Sequence, residues 1–321
     1  MAKLTVIIPY YQKEPGILRR ALASVFAQSF QDFHVLVIDD RSPYSIDEEL
    51  GPLSEQERAR VTVIRQPNQG PGGARNTGLD HVPADAEFVA FLDSDDEWTA
   101  DHLKNAYESM SRFGADCYWA SITGGDAFYY HFDVAELTQS NRVVRLQEAP
   151  LVVEIPDLTN VMLENWSFLH LSCMVIGRSL FETVRFDAAL RLAAEDVLFF
   201  CDCILAAERV VLCDEAGAER GEGINIFHSI DNDSPQFLQQ QFNTFVALET
   251  LEGRFLRKPS AIASIRSYQH TARRQALWSQ ARRLKRRKSP QFRLLARWVL
   301  RDPRLLRSAL ELAVGKFSRL N

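Results

Sequence analysis

Four apolar runs rich in β-branched and aromatic residues, "KLTVIIP", "FHVLVIDD", "RVTVIRQ" and "EFVAFLDSDD", recur in the first third of the chain. Between them lie segments with helical spacing; Ile17, Leu18, Ala21, Leu22, Val25 and Phe26 mark one face of a first helix. Strands that alternate with helices predict βαβ units, hence an α/β fold with a mostly parallel central sheet flanked by helices. Such sheets take ligands outside the carboxyl ends of their strands. Here those ends are polar: Tyr10, Tyr11 and Gln12 follow the first run, Asp39 and Asp40 close the second, and Asp93, Asp95, Asp96 and Glu97 close the fourth.

Four acids within five residues repel one another unless a cation is shared among them. Oxygen ligands of this kind favour Mg2+ or Mn2+. The competing expectation is a solvated acidic loop that caps a helix beginning near Thr99. After the third run, "NQGPGGARNTGLD" places Gly70, Gly72 and Gly73 before a helix expected from Ala74 onward. Free N–H groups and the positive helix end could face phosphate oxygens there, with Arg75 adding a forked contact. The spacing matches neither G-x-G-x-x-G nor the lysine-bearing P-loop, so a structural turn is the alternative.

Between residues 115 and 176, "DCYWAS", "DAFYYHF", "NRVVRL" and "SCMVIG" suggest short strands. The aromatics Tyr118, Trp119, Phe128, Tyr129, Tyr130, Trp166 and Phe168 either line an acceptor groove or fill a core. "RLAAEDVLFFCDCILA" reads as a helix with Glu195 and Asp196 in its first turn, where carboxylates also complement the helix dipole.

Composition is that of an ordinary globular protein, 46% hydrophobic and 25% charged. Five scattered cysteines fit reduced thiols in an intracellular core, not a disulfide framework. The first strand begins within a few residues of the start, leaving no signal-peptide pattern, and no apolar stretch nears the roughly 18 residues of a spanning helix. A cytoplasmic location, at most peripheral to the membrane, is expected. Charge is divided: the first 253 residues hold 18 basic and 40 acidic groups, the remainder 19 basic and two acidic. The segments "SYQHTARRQALWSQARRLKRRK" and "LLRSALELAVGKFSRL" mix apolar and basic positions, as helices on an anionic membrane surface do. No nucleic-acid reader motif accompanies them, so no nucleic-acid partner is expected. A division into a catalytic region, 1–233, and a basic helical region, 234–321, follows; a homodimer stays open.

The segments "TVIIPYYQ", "SVFAQSFQDFHVLVIDDRS", "GPGGARNTGLD", "FVAFLDSDDEWTADHL" and "FDAALRLAAEDVLFF" resemble, in order and spacing, family 2 glycosyltransferases of GT-A fold, over roughly residues 3 to 230. With "DCYWASITGGDAFYYHF" and "GINIFHSIDNDSPQF", the chain is further similar to succinoglycan-type bacterial exopolysaccharide β-1,3-glucosyltransferases. That resemblance implies an inverting transfer of glucose from UDP-glucose to a lipid-linked oligosaccharide. It assigns Asp196 as general base, with Glu195 and Trp119 on the acceptor side. Pro9, Tyr11, Asp39, Asp40, Arg75, Asp93 and Ser94 would bind the donor: Tyr11 against the base, Asp39 at its imide N–H, Asp40 supporting that loop, Arg75 on the diphosphate and Asp93 near the ribose. Asp95 would bind the Mg2+ or Mn2+ ion, with His228 as a further ligand and Asp96 in reserve. One departure is Gln12, where the family usually has Asn. The rivals are a nucleotidyltransferase, which would carry a glycine-rich basic signature after the first strand; a phosphatase, which would want its aspartate there; and a non-catalytic sugar-nucleotide scaffold.

Overall fold

A computed structural model of the chain describes residues 2–124, 134–164, 169–191, 193–221, 230–255 and 257–317, the last five by their backbone alone. The chain divides into two compact units, Met1–Ala189 with Phe199–Ile224, and Leu190–Leu198 with Asn225–Asn321.

The first unit is built on a ten-stranded sheet. Its strands are β1 (Leu4–Tyr10), β2 (Phe33–Asp39), β3 (Val61–Arg65), β4 (Phe88–Phe91), β5 (Glu97–Trp98), β6 (Cys117–Thr123), β7 (Val144–Glu148), β8 (Leu151–Glu154), β9 (Met174–Gly177) and β10 (Val210–Glu219). They lie in the order β3-β2-β1-β4-β9-β6-β10-β8-β7, with β5 pairing β10. The β3-β2-β1-β4 block is parallel, as expected, and so is the β6–β10 pair. β9 runs antiparallel between β4 and β6, and β8 and β5 run against β10, so the sheet is mixed. The expected helix of the first βαβ unit spans Ile17–Phe26 and buries Ile17, Leu18, Ala21, Leu22 and Val25. Its start is held by buried Glu49, whose carboxylate accepts the N–H groups of Gly16 (2.5 Å) and Arg19 (2.8 Å).

The central strands are buried on both faces because helices cover both sides of a parallel sheet. Register then sets the functional edge. Tyr10 lies opposite Asp39, and Ile7 opposite Phe91, so the ends of β1, β2 and β4 meet on one side. Pro9 fits this place. The carbonyl of Ile7 accepts the N–H of Leu92 at 3.1 Å, the last backbone bond toward β4, and the missing N–H of Pro9 falls just beyond it.

Two local expectations shift. The helix after β3 begins at Gly70, not Ala74. The acidic run is followed by β5, and the next helix starts at His102 rather than near Thr99. "NRVVRL" and "SCMVIG" form β7 and β9 as expected, while "DAFYYHF", Trp166 and Phe168 lie outside the described residues.

The second unit is helical: Pro235–Arg254, Pro259–Lys285, Phe292–Arg301 and Arg304–Phe317. Leu238, Phe242, Phe245, Ala272, Ala276, Trp298 and Leu305 form its core. Several basic groups expected to face a membrane are instead used inside it. Arg273 is buried and pairs with buried Asp302. Arg283 donates to the carbonyl of Asp233 at 2.6 Å, and Arg286 reaches the Asp233 carboxylate at 2.7 Å. A run of like charge in sequence carries no information about which members meet an acid after folding.

Candidate active site

The end of β2 begins the site. Asp39 accepts the N–H of Ser42 at 2.8 Å, and the Ser42 hydroxyl in turn bonds the N–H (2.8 Å) and carbonyl (2.9 Å) of Gln12. The Gln12 amide donates to the hydroxyl of Ser94 at 3.1 Å. A chain of hydrogen bonds therefore joins the ends of β1, β2 and β4, and the residue that departs from the family pattern is its middle link. Tyr11 is exposed beside this chain.

Asp40 is buried and has a different task. Its carboxylate accepts the N–H groups of Gln69 (2.7 Å) and Gly70 (2.8 Å) and the amide of Gln66 (2.8 Å). These bonds stabilise the first turn of the Gly70–Asp80 helix and explain its early start. They also occupy the N–H of Gly70, in the glycine turn expected to lie near phosphate. Gly78, in the last turn of the helix, is needed for close approach: a Cβ there would lie 2.5 Å from the Ile7 side chain.

The same helix delivers Arg75, buried, to Asp93 at 2.6 Å, with its guanidinium 5.4 Å from the centre of the Phe186 ring. Burial acts to raise the Asp93 pKa, but Arg75 and His170 outweigh it and hold the carboxyl below its ordinary range. Asp95 has the opposite balance: burial first, then Asp93 and Asp96, push it up to about 7. Asp96 is also raised, by burial and against the pull of His170. The loop therefore crowds together more carboxyl groups than Arg75 can hold ionised.

His170 and Ser172 complete the cluster, and the sequence reading missed both. The Ser172 hydroxyl donates to Asp96 at 2.6 Å and accepts the N–H of Asp93 at 3.1 Å. His170 Nδ1 lies 3.6 Å from Asp96 and accepts the N–H of Ser172 at 3.2 Å. They arrive because β9 runs antiparallel to β4, which sets the residues preceding it beside the end of β4. A histidine two positions before a serine at a strand start was the available signal. One ligand atom from each of Asp93, Asp96 and His170 falls within 4.8 Å of the others. Two carboxylates and an imidazole, with the Asp95 carboxyl crowded beside them, fit a divalent cation of the Mg2+ or Mn2+ class. Gly221 closes the cluster: its N–H reaches Asp96 at 3.1 Å, and a Cβ there would lie 1.6 Å from the Asp95 carbonyl oxygen.

The remaining expected residues belong to other elements. Trp119 is fully buried in β6 with its ring edge-on to Phe200, so it offers no face to an acceptor; this corrects its acceptor-side assignment. Glu195 and Asp196 open the Glu195–Ala206 helix as expected. The Asp196 carboxylate accepts the N–H of Val197 at 2.8 Å. The helix is entered through Ala194 at φ 68°, a left-handed conformation disfavoured for alanine. His228 lies outside the described residues.

The family model described as glycosyl transferase family 2 matches residues 5–185. Over 319 residues the chain is 77% identical to the succinoglycan biosynthesis protein ExoW of Rhizobium meliloti, covering 99% of this chain and 100% of that one. It is 37% identical over 98 residues to the GalNAc(5)-diNAcBac-PP-undecaprenol β-1,3-glucosyltransferase of Campylobacter jejuni, 30% of this chain and 31% of the relative. Among solved structures, residues 1–349 of Staphylococcus aureus TarS in complex with UDP-GlcNAc superpose with a TM-score of 0.57 at 21% identity, over 86% of this chain and 81% of that one. That likeness is one of fold, GT-A-like. Taken with the sheet-end acids, these matches mean that the chain belongs to glycosyl transferase family 2 and is a glycosyltransferase.

Proposed function

We propose that the enzyme moves glucose from UDP-glucose, with inversion and in β-1,3 linkage, onto a hydroxyl of a lipid-linked oligosaccharide during assembly of a succinoglycan-type exopolysaccharide. The observation that carries the reading is the Asp93–Asp96–His170 cluster beside Arg75 at the carboxyl edge of the sheet, the place where a nucleoside diphosphate and its cation belong. The ExoW name supports the polymer, and the Campylobacter relative's name supports the linkage and the lipid-borne acceptor.

In this mechanism Asp39 accepts the imide N–H of the base, and Tyr11 covers its face. Asp93, Asp96 and His170 would hold the divalent cation, with Asp95 adjoining; when bound, the cation neutralises charge on the departing diphosphate. Arg75, already aimed into the loop, adds a fixed positive charge to the same task. Asp196 takes the acceptor proton as attack proceeds, and Glu195 orients the acceptor. Proximity supplies the rest, because donor and acceptor react only when held in line. A lipid-linked acceptor sets the work at the cytoplasmic face of the membrane, with anionic lipid as the surface partner. A homodimer is compatible with this chemistry and not required by it.

The test is incubation with a panel of sugar nucleotides, Mg2+ or Mn2+, and lipid-linked acceptors, with mass and linkage analysis of the product. UDP release with a β-1,3-linked glucose is the expected result. Pyrophosphate release would move the protein to the nucleotidyltransferases, and binding of the nucleotide without turnover on any acceptor would make it a scaffold.

A further inference from the structure

The folded second unit consumes much of the basic run that suggested a membrane contact, yet leaves another surface unspent. The helix Phe292–Arg301 turns Trp298 fully inward, with Leu294, Leu295 and Val299 packed against the same core. Its opposite side is apolar again. Phe292 is 69% exposed and Leu300 86%, and with exposed Ala296 they form one row at four-residue spacing. Beside that row runs a second, of Arg293, Arg297 and Arg301, all exposed. The helix Arg304–Phe317 repeats the pattern, with Leu305 inward, Leu306 (55% exposed) and Leu310 (68%) outward, and Arg307 in the adjacent row.

Single exposed leucines are ordinary, but four large apolar side chains in rows on two successive helices are not. The charge around them selects the occupant. From Phe292 to Leu312 there are five basic residues and two acidic ones. Both acids are already paired: Asp302 with Arg273 and Arg304, and Glu311 with Arg307 at 3.1 Å. An apolar row bordered by arginines matches the acyl edge and phosphate layer of an anionic bilayer, whereas a second copy would bring the same positive charge against it. Ten residues of helix extend only about 15 Å, so this element lies along a bilayer rather than through it. No described helix is long and apolar enough to cross a membrane.

We infer that Phe292, Leu300, Leu306 and Leu310, flanked by Arg293, Arg297 and Arg307, form a surface that inserts shallowly into anionic phospholipid. The inference builds on the membrane-side reading above. Its test uses neither donor nor acceptor, so either can fail without the other.

Full-length protein is floated with vesicles of phosphatidylcholine alone or with phosphatidylglycerol, at low and high salt. The wild type is expected to bind only the anionic vesicles, more weakly as salt rises. Leu300→Ser combined with Leu306→Ser should lower partition at least about tenfold while the melting temperature holds. Arg293→Ser, a fully surface change that leaves the core alone, should lower it about fivefold. Binding indifferent to both the leucines and lipid charge overturns the proposal. So does a concentration-dependent dimer, seen by light scattering without lipid and lost in the leucine variant, if the wild type then fails to float.

Discussion

The acidic edge of the sheet and the basic helical unit look alike in sequence, each a dense run of one charge, and folding treats them in opposite ways. At the sheet edge Asp93, Asp95 and Asp96 are brought closer together, with Arg75 paired to Asp93 and Arg220 acting on Asp93 and Asp95, and Asp95 is still driven up to about 7. In the helical unit the excess charge is dispersed. Arg286 and Lys288 clamp Asp233, whose pKa falls to about 2, and Arg273 takes Asp302 into the core. A charge cluster that the fold concentrates marks a site for an opposite charge from outside. One that the fold pairs internally is architecture.

The largest expected effect belongs to Asp196→Asn, which leaves the sheet-edge acids unchanged. Turnover is expected to fall about 10²- to 10⁴-fold, with sugar-nucleotide affinity by calorimetry unchanged. Full activity with an authentic acceptor would remove the base assignment. Next, the paired character of the basic unit is exposed by Asp302→Ala. This leaves Arg273 buried with its partner gone and should cost about 3–5 kcal/mol in urea melts, whereas removing exposed Arg274 should cost almost nothing. Equal effects would break the contrast.

A third test probes burial without any ion partner. His102 is fully enclosed beside Trp98 and Tyr118, and burial pushes its pKa from 6.5 to about 3. Below pH 6.5 the unfolded chain takes up a proton that the folded chain refuses. Stability therefore falls as pH drops from 6.5 toward 3, by about 1.4 kcal/mol per pH unit, and His102→Phe should flatten that slope if the ring is accommodated. The smallest effect belongs to Asp95→Asn. Its folded pKa lies above the unfolded value of 3.8, so its ionised form destabilises the cation-free protein increasingly as pH rises to 7. At pH 8 the amide should add about 1 kcal/mol after allowance for solvent access, and Mn2+ should raise the melting temperature less than in the wild type. A loss of stability would mean that the crowded acids are already compensated.

Much of the fold was legible because it is written locally. β-Branched runs became β1 to β4, the face at Ile17, Leu18 and Leu22 became a buried helix face, and Glu195 and Asp196 did open a helix. The acids at the sheet edge were legible as strand ends too, since each closes or follows its own strand. His170 and Ser172 were not, because they reach Asp96 from 74 and 76 residues away through the antiparallel insertion of β9. Trp119 was misassigned for a related reason: in a strand covered on both sides, an aromatic that could line a groove and one that fills the core read identically. Arg75 was recognised as a cation for this place, but its contact with Asp93 depends on the register between its helix and β4.

By itself, the sequence determined the alternation of strands and helices, the acids at their ends and the division of charge between the two regions. These depend on side-chain type and short-range period, which neighbours in the chain carry. Only the tertiary structure decided which acids share space, which histidine joins them, which arginines are neutralised and which leucines are left facing outward. Coulomb and packing energies depend on distances in space, and those are set by sheet order and helix crossing rather than by position along the chain.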